Sequence, residues 1–276
     1  MLSLGFKHPL QRRFEMEAQT KDDIRQAVLE SYGNVAESGN SCGCDCSCGT
    51  SGTDETSLKL GYTTDDVSAV PEGANMGLGC GNPKAIASLK QEETVLDLGS
   101  GGGFDCFLAA REVGAKGHVI GVDMTPEMLS KARKNAQTAG SQNVEFRLGE
   151  IENLPVADQS VDVIISNCVI NLSVEKQNVF HEAFRILKSG GRLAIADIVA
   201  TAEFPEYIKN DLSKIAGCTA GASSIETLKA MLGNAGFAHI RITPKDNSKE
   251  IVHGHWGSDS KIEDYLISAH IEAIKG

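Results

Sequence analysis

The chain has 276 residues, enough to bury a sizeable core in one or two domains, and a formal net charge of -11 with a pI near 5.1. That acidity argues against nucleic acid or an anionic membrane as partner and points to a small substrate. No run approaches the roughly 18 to 20 apolar residues of a membrane span, and Met1-Leu-Ser-Leu-Gly-Phe-Lys-His-Pro is too short in apolar character for a signal peptide. A cytoplasmic protein is therefore expected. Thiols are normally kept reduced there, so the eight cysteines read as ligands, nucleophiles or core residues rather than a disulfide framework.

Along the chain, Lys21 to Tyr32 has helical spacing, with Ile24, Val28 and Leu29 apolar among charges. It is either a lid over a ligand site or a plain surface helix. Gly39 to Ser57 is a low-complexity linker containing Cys42, Cys44, Cys46 and Cys48, with almost nothing to bury. Cys80 follows in a glycine-rich loop, Gly73-Ala-Asn-Met-Gly-Leu-Gly-Cys80-Gly-Asn-Pro. From Lys84 onward strands alternate with helices. Strands are expected at 94–98, 118–122, 143–148, 161–166, 192–197, near 238–243 and at 265–274; helices at 104–113, 126–139, 175–187, 204–216 and 224–235. Thr125 before Pro126 offers a side-chain cap. Such alternation means an α/β fold with a mainly parallel seven-stranded sheet and helices on both faces.

The run Thr94-Val-Leu-Asp97-Leu-Gly99-Ser-Gly101-Gly102-Gly103-Phe104 reads as a buried strand, a glycine turn and a helix start. Asp123, ending the second strand 22 residues after Gly101, has the spacing of a carboxylate that grips ribose hydroxyls. Phe104 replaces the third glycine of the dinucleotide fingerprint. The carboxylate of Asp97 would repel a pyrophosphate but attract the ammonium and sulfonium of S-adenosylmethionine. The balance favours S-adenosylmethionine over NAD.

Through Asp97-Leu-Gly-Ser-Gly-Gly-Gly103, Val122-Asp123-Met124 and Gly149-Glu150-Ile151-Glu152-Asn153-Leu154-Pro155, the chain resembles the Rossmann-like class I S-adenosylmethionine-dependent methyltransferases. That resemblance places the methionine moiety at Asp97, Gly99 and Gly101, the ribose at Asp123 and Met124, and the adenine at Glu150 and Ile151; Asn167 joins the cofactor set. It implies residues 61–200 as the cofactor domain, 1–60 as an N-terminal helix with its Cys-rich linker, and 201–276 as a small C-terminal α+β segment covering substrate and completing the sheet.

Three cysteine loops narrow the resemblance. Val70-Pro-Glu-Gly-Ala-Asn-Met-Gly-Leu-Gly-Cys80-Gly-Asn-Pro, Ile165-Ser-Asn-Cys168-Val-Ile-Asn-Leu and Ala216-Gly-Cys218-Thr-Ala-Gly-Ala look like the motifs of the arsenite S-adenosylmethionine methyltransferases, from about Leu60 to Gly276. The resemblance implies that Cys80, Cys168 and Cys218 hold trivalent arsenic as substrate, with no permanently bound metal, acting on arsenite and methylated trivalent arsenicals in detoxification. It also implies thioredoxin or glutathione as reductant; a monomer is expected. Soft arsenic held by three thiolates keeps a lone pair free to attack a methyl carbon, so no general base is needed. Asp197 is the nearest candidate should one be. Cys42 to Cys48 form a C-x-C-x-C-x-C ribbon open to arsenic handling, adventitious metal or no role, Cys106 reads as packing, and His253, His255 and Trp256 carry no assigned role. Two rivals stand beside this reading: a C- or O-methyltransferase of a small organic acceptor, and a non-catalytic thiol protein that sequesters arsenic or a soft metal.

Overall fold

The structure is a computed structural model; it describes residues 9–38, 52–204, 218–219, 221–256 and 264–276. Four helices lead in, α1 (Pro9–Ser38), α2 (Thr53–Leu60), α3 (Thr64–Ser68) and α4 (Lys84–Ala87). The alternating body follows as β1 (Thr94–Leu98), α5 (Phe104–Val113), β2 (His118–Asp123), α6 (Pro126–Ala139), β3 (Val144–Leu148), β4 (Val161–Asn167), α7 (Lys176–Ile186) and β5 (Leu187–Ala200). Next come α8 (Ile225–Ala235), β6 (Phe237–Pro244), α9 (Ser248–Trp256) and β7 (Leu266–Lys275).

These strands form one seven-stranded sheet in the order β3-β2-β1-β4-β5-β7-β6. β1 to β5 pair in parallel, and β7 inserts antiparallel between β5 and β6. Central strands read as unbroken apolar runs because both faces are covered. Val95, Val119, Val163 and Ile165 pack under α5 and α6, whereas Leu96, Ile120, Ile164 and Leu193 pack under α7 and α8. Phe180 of α7 is fully buried in the second layer, and truncating such a residue to Ala costs roughly 3–5 kcal/mol. The order of strands reverses between β1 and β4, so their carboxyl ends open a crevice where open α/β sheets bind ligands.

Local signals explain most boundaries. α6 begins with Pro126 in its first turn and stops at Gly140, which adopts φ 63°. The expected Thr125 cap is a correction: its side chain makes no capping bond. α8 is capped by Ser224, which accepts from the Thr227 N–H. β5 runs longer than the expected 192–197 because Ser189-Gly190-Gly191 is accommodated as an irregularity, with register shifting between Val161 and Val163. α1 likewise extends beyond 21–32, since Gly33 is carried inside the helix. His253 lies on α9, where Ile251 and Val252 supply the buried side. Apart from Phe204, the expected helix at 204–216 lies outside the described residues, as do the cysteines Cys42, Cys44, Cys46 and Cys48.

Candidate active site

At the carboxyl end of β1 the glycine turn is folded against β2: Gly99 and Ser100 donate their N–H groups to the Val122 carbonyl at 2.8 and 3.1 Å. Gly99 takes φ 69°, and a Cβ there would collide with Val169, so only glycine lets the turn lie this close to the strand β4 exit. Asp123 is oriented by two backbone donors, Gly101 N–H at 2.9 Å and Thr125 N–H at 2.8 Å. Burial raises its carboxyl nonetheless. Asp97 is buried and pushed well above the usual carboxylate range, first by desolvation and then by the charge of Asp105.

Two acids and a phenol share the floor. Tyr62 Oη donates to Asp105 Oδ1 at 2.7 Å, and Asn167 Nδ2 donates to Asp105 Oδ2 at 3.2 Å. Burial lifts Asp105 to about 6 against these bonds, and lifts the Tyr62 hydroxyl as well. Cys106 packs as expected and donates to Asp97 Oδ2 at 3.2 Å; burial keeps it a thiol. Ser100 Oγ is buried without a hydrogen-bond partner.

Tyr62, Asp97, Ser100, Asp105 and Asn167 line one pocket. Of the cofactor residues expected from sequence, Asp97, Gly99, Gly101, Asp123, Met124, Ile151 and Asn167 line it. Glu150 stands apart from these. It does not line the pocket, and its half-exposed carboxylate faces Arg25 Nε at 3.9 Å. The acid facing inward from that turn is Glu152, held by the Ser173 hydroxyl at 2.5 Å. Arg25, Val28 and Tyr32 of α1 close another wall. Tyr62 and Asp105 were not singled out from sequence; an acid in the first turn after the glycine motif was the available signal for Asp105, and Tyr62 had none.

The three separated cysteines converge. Cys80, Cys168 and Cys218 are all buried in one cluster with Ile198, Phe204 and Leu266. Cys168 follows β4 in the left-handed region, φ 60°, with its N–H on the Ala196 carbonyl. Cys80 N–H donates to Asn167 Oδ1 at 2.9 Å. The glycines flanking Cys80 permit this approach, since a Cβ on Gly79 would meet Asn167 Nδ2 at 2.6 Å and one on Gly81 would meet Ala196 Cβ at 2.7 Å. Cys218 Sγ donates to the Cys168 carbonyl at 2.9 Å. Cys80 and Cys168 are joined as a disulfide with Cα atoms 5.5 Å apart, a correction to the expectation of reduced thiols: the packing of the Cys80 loop on Asn167 leaves the two sulfurs adjacent. In this oxidised form, no group of three His, Cys, Asp or Glu side chains among the described residues is arranged to hold a metal ion.

Asp197 is not placed as a base. Its oxygens accept from Ile170 N–H, Asn171 Nδ2 and Ile198 N–H at 3.1, 2.9 and 2.7 Å, bracing the turn after Cys168. Burial raises it to about 7.

A methyltransferase-domain family model matches residues 89–236, more than half of the chain. The chain is also 55% identical over 263 residues to the arsenite methyltransferase of Halobacterium salinarum, covering 92% of this chain and 67% of that protein. The chain belongs to the arsenite methyltransferase family. Within that family it is 41% identical over 179 residues to the enzyme of Aquipseudomonas alcaligenes, covering 62% of this chain and 51% of the other. The family fold is matched by the crystal structure of an arsenic(III) S-adenosylmethionine methyltransferase from Chlamydomonas reinhardtii, with TM-score 0.59 and 27% identity over 83% of this chain and 75% of that one. The chain thus spans about half to two thirds of the length of these curated relatives. Family membership carries S-adenosylmethionine as the methyl source.

Proposed function

We propose that this protein methylates trivalent arsenic bound to its own cysteine thiolates, drawing the methyl group from S-adenosylmethionine. The observation that carries this reading is the meeting of Cys80, Cys168 and Cys218 in one buried cluster, with Cys168 also on the wall of the pocket. The relatives matched over most of the chain are named for the same reaction.

The pocket suits the cosubstrate. Among the described residues the acids Asp97, Asp105, Asp123 and Glu152 outnumber the one basic lining residue, Arg25, and a cationic ligand would relieve the burial that disfavours the charged form of Asp97, Asp105 and Asp123. The unpartnered Ser100 hydroxyl is one more polar group waiting inside. Asp97, Gly99 and Gly101 would hold the methionine moiety, Asp123 and Met124 the ribose, and Ile151 the adenine. When bound, S-adenosylmethionine supplies an electrophilic methyl group on a sulfonium.

The remaining work falls to the chain. The Cys80–Cys168 disulfide must first be opened, a two-electron reduction by a dithiol or by glutathione that yields two thiols. Arsenite, As(OH)3, then exchanges its three hydroxyls for three thiols with release of three waters. The sulfurs fix the metalloid beside the pocket and leave its lone pair as nucleophile, an arrangement that supplies proximity rather than proton transfer. No base is required, and Asp197 is committed to bracing the Cys168 turn. A monomer suffices, because one chain contributes every group, and a reducing cytoplasm fits the need for thiols.

Methyl transfer leaves a formally pentavalent arsenic still holding three sulfurs. A thiolate of the reductant takes one of those sulfurs as a disulfide and returns arsenic to the trivalent state, and the methylated product then has only two thiolate positions. Cys168 and Cys218 are therefore required at every step, and Cys80 mainly at the first. Cys80→Ser is expected to lower methylation of arsenite by on the order of tenfold or more while leaving methylation of a monomethyl arsenical within about threefold. Separate single-substrate assays check this, and equal losses at both steps would contradict it.

A further inference from the structure

α1 does more than cover the pocket. Arg25, Val28 and Tyr32 are spaced three and four residues apart, which puts them on one face of the helix, and all three line the pocket. The helix is tied down by Arg25 Nη2 to Glu175 Oε2 at 3.4 Å and Lys21 Nζ to Glu175 Oε1 at 3.4 Å. Lys131 Nζ adds a bond to the Ala36 carbonyl at 3.2 Å. Such long, partly exposed ion pairs contribute about 0–1 kcal/mol each. The burial of Val28 and Val35 anchors α1 as well, and because Val28 also lines the pocket, whatever fills the pocket biases how firmly the helix is held.

The deep end of the same face touches the thiol cluster. Tyr32 Oη lies 3.8 Å from Cys218 Sγ, across 186 residues of sequence, and that sulfur in turn contacts the Cys168 carbonyl. Resting on the arsenic-methylation reading above, we infer that Tyr32 is a positioning residue for the arsenic site, so that closing α1 over the cofactor and completing the thiol site are one event. While Cys218 is a thiol its proton serves the Cys168 carbonyl. Binding of arsenic removes that proton as water, and the Tyr32 hydroxyl becomes the donor to the sulfur. A ligand that seats α1 from the cofactor side therefore favours arsenic at Cys218, and arsenic favours the cofactor by the same factor, as linkage requires.

The test uses the full chain, reduced with a phosphine, and measures arsenite binding by equilibrium dialysis with elemental detection, with and without saturating S-adenosylhomocysteine. The wild type is expected to bind arsenite about fivefold or more tightly when S-adenosylhomocysteine is present. In Tyr32→Phe, which keeps the ring and removes the hydroxyl, that factor should fall below about twofold, with S-adenosylhomocysteine held saturating for the variant as set by its own binding isotherm. A wild type without coupling, a variant that keeps it, or a variant that loses S-adenosylhomocysteine binding itself would each overturn the inference. Failure of the reduced wild type to bind arsenite at all would instead overturn the functional reading, and this inference with it.

Discussion

Asp105 shows how a single buried carboxyl ties the cofactor side of the site to the thiol side. It accepts from Tyr62 and from Asn167, and Asn167 in turn receives the Cys80 N–H. Burial raises its value to about 6 from the ordinary 3.8. The folded protein therefore holds this proton more tightly than the unfolded chain does. Its contribution to stability is full below the ordinary value and is lost as pH rises through about 6. Asp105→Asn lacks this titration, so the melting temperature of the wild type relative to the variant is expected to fall between about pH 4 and pH 7. Thermal unfolding at intervals across that range checks the sign, and a difference that rises with pH would contradict it. At this scale the sequence was informative where chemistry is unusual. A cysteine at the exit of β4 is conspicuous because ligands gather there. Tyr62 was invisible, because a tyrosine before the cofactor domain carries no pattern and gains its meaning only from contact with a residue 43 positions away.

Elements were legible where local signals and burial agree. The bounds of α5 and α6 coincide with those read from sequence, since a glycine turn starts one, Pro126 starts the other and glycines end both. β5 was read short because Gly190 and Gly191 normally end a strand, whereas here the pairing with β4 resumes beyond them. Glu150 lies off the pocket and Glu152 on it for a related reason: spacing identifies the turn after β3 but not which of its acids points inward. The loop carrying Cys218 offers a sharper test. A Cβ on Gly221 would collide with the backbone carbonyl of Asn171, and a backbone atom cannot yield as a flexible side chain would. Gly221→Ala is expected to push the Cys218 loop off the Cys168 turn, costing about 1–3 kcal/mol of stability and weakening arsenite binding while S-adenosylhomocysteine still binds. Calorimetric melting with binding of both ligands checks this, and unchanged arsenite binding would contradict it.

For the molecule as a whole, a parallel sheet delivers several strand ends to one edge, and three loops far apart in sequence meet there. Alternation of strands and helices made the sheet readable. The convergence of Cys80, Cys168 and Cys218 was not, because separations of 88 and 50 residues fix no distance until the strand order is known. No helix among the described residues is long and apolar enough to cross a membrane. The central claim is that these sulfurs carry the metalloid during methyl transfer. Its most direct test is chromatographic separation of arsenic species after incubating the purified protein with arsenite, S-adenosylmethionine and a dithiol, beside Cys168→Ser. The account predicts methylated arsenic from the wild type and none from the variant; methylated arsenic from both, or from neither, would contradict it.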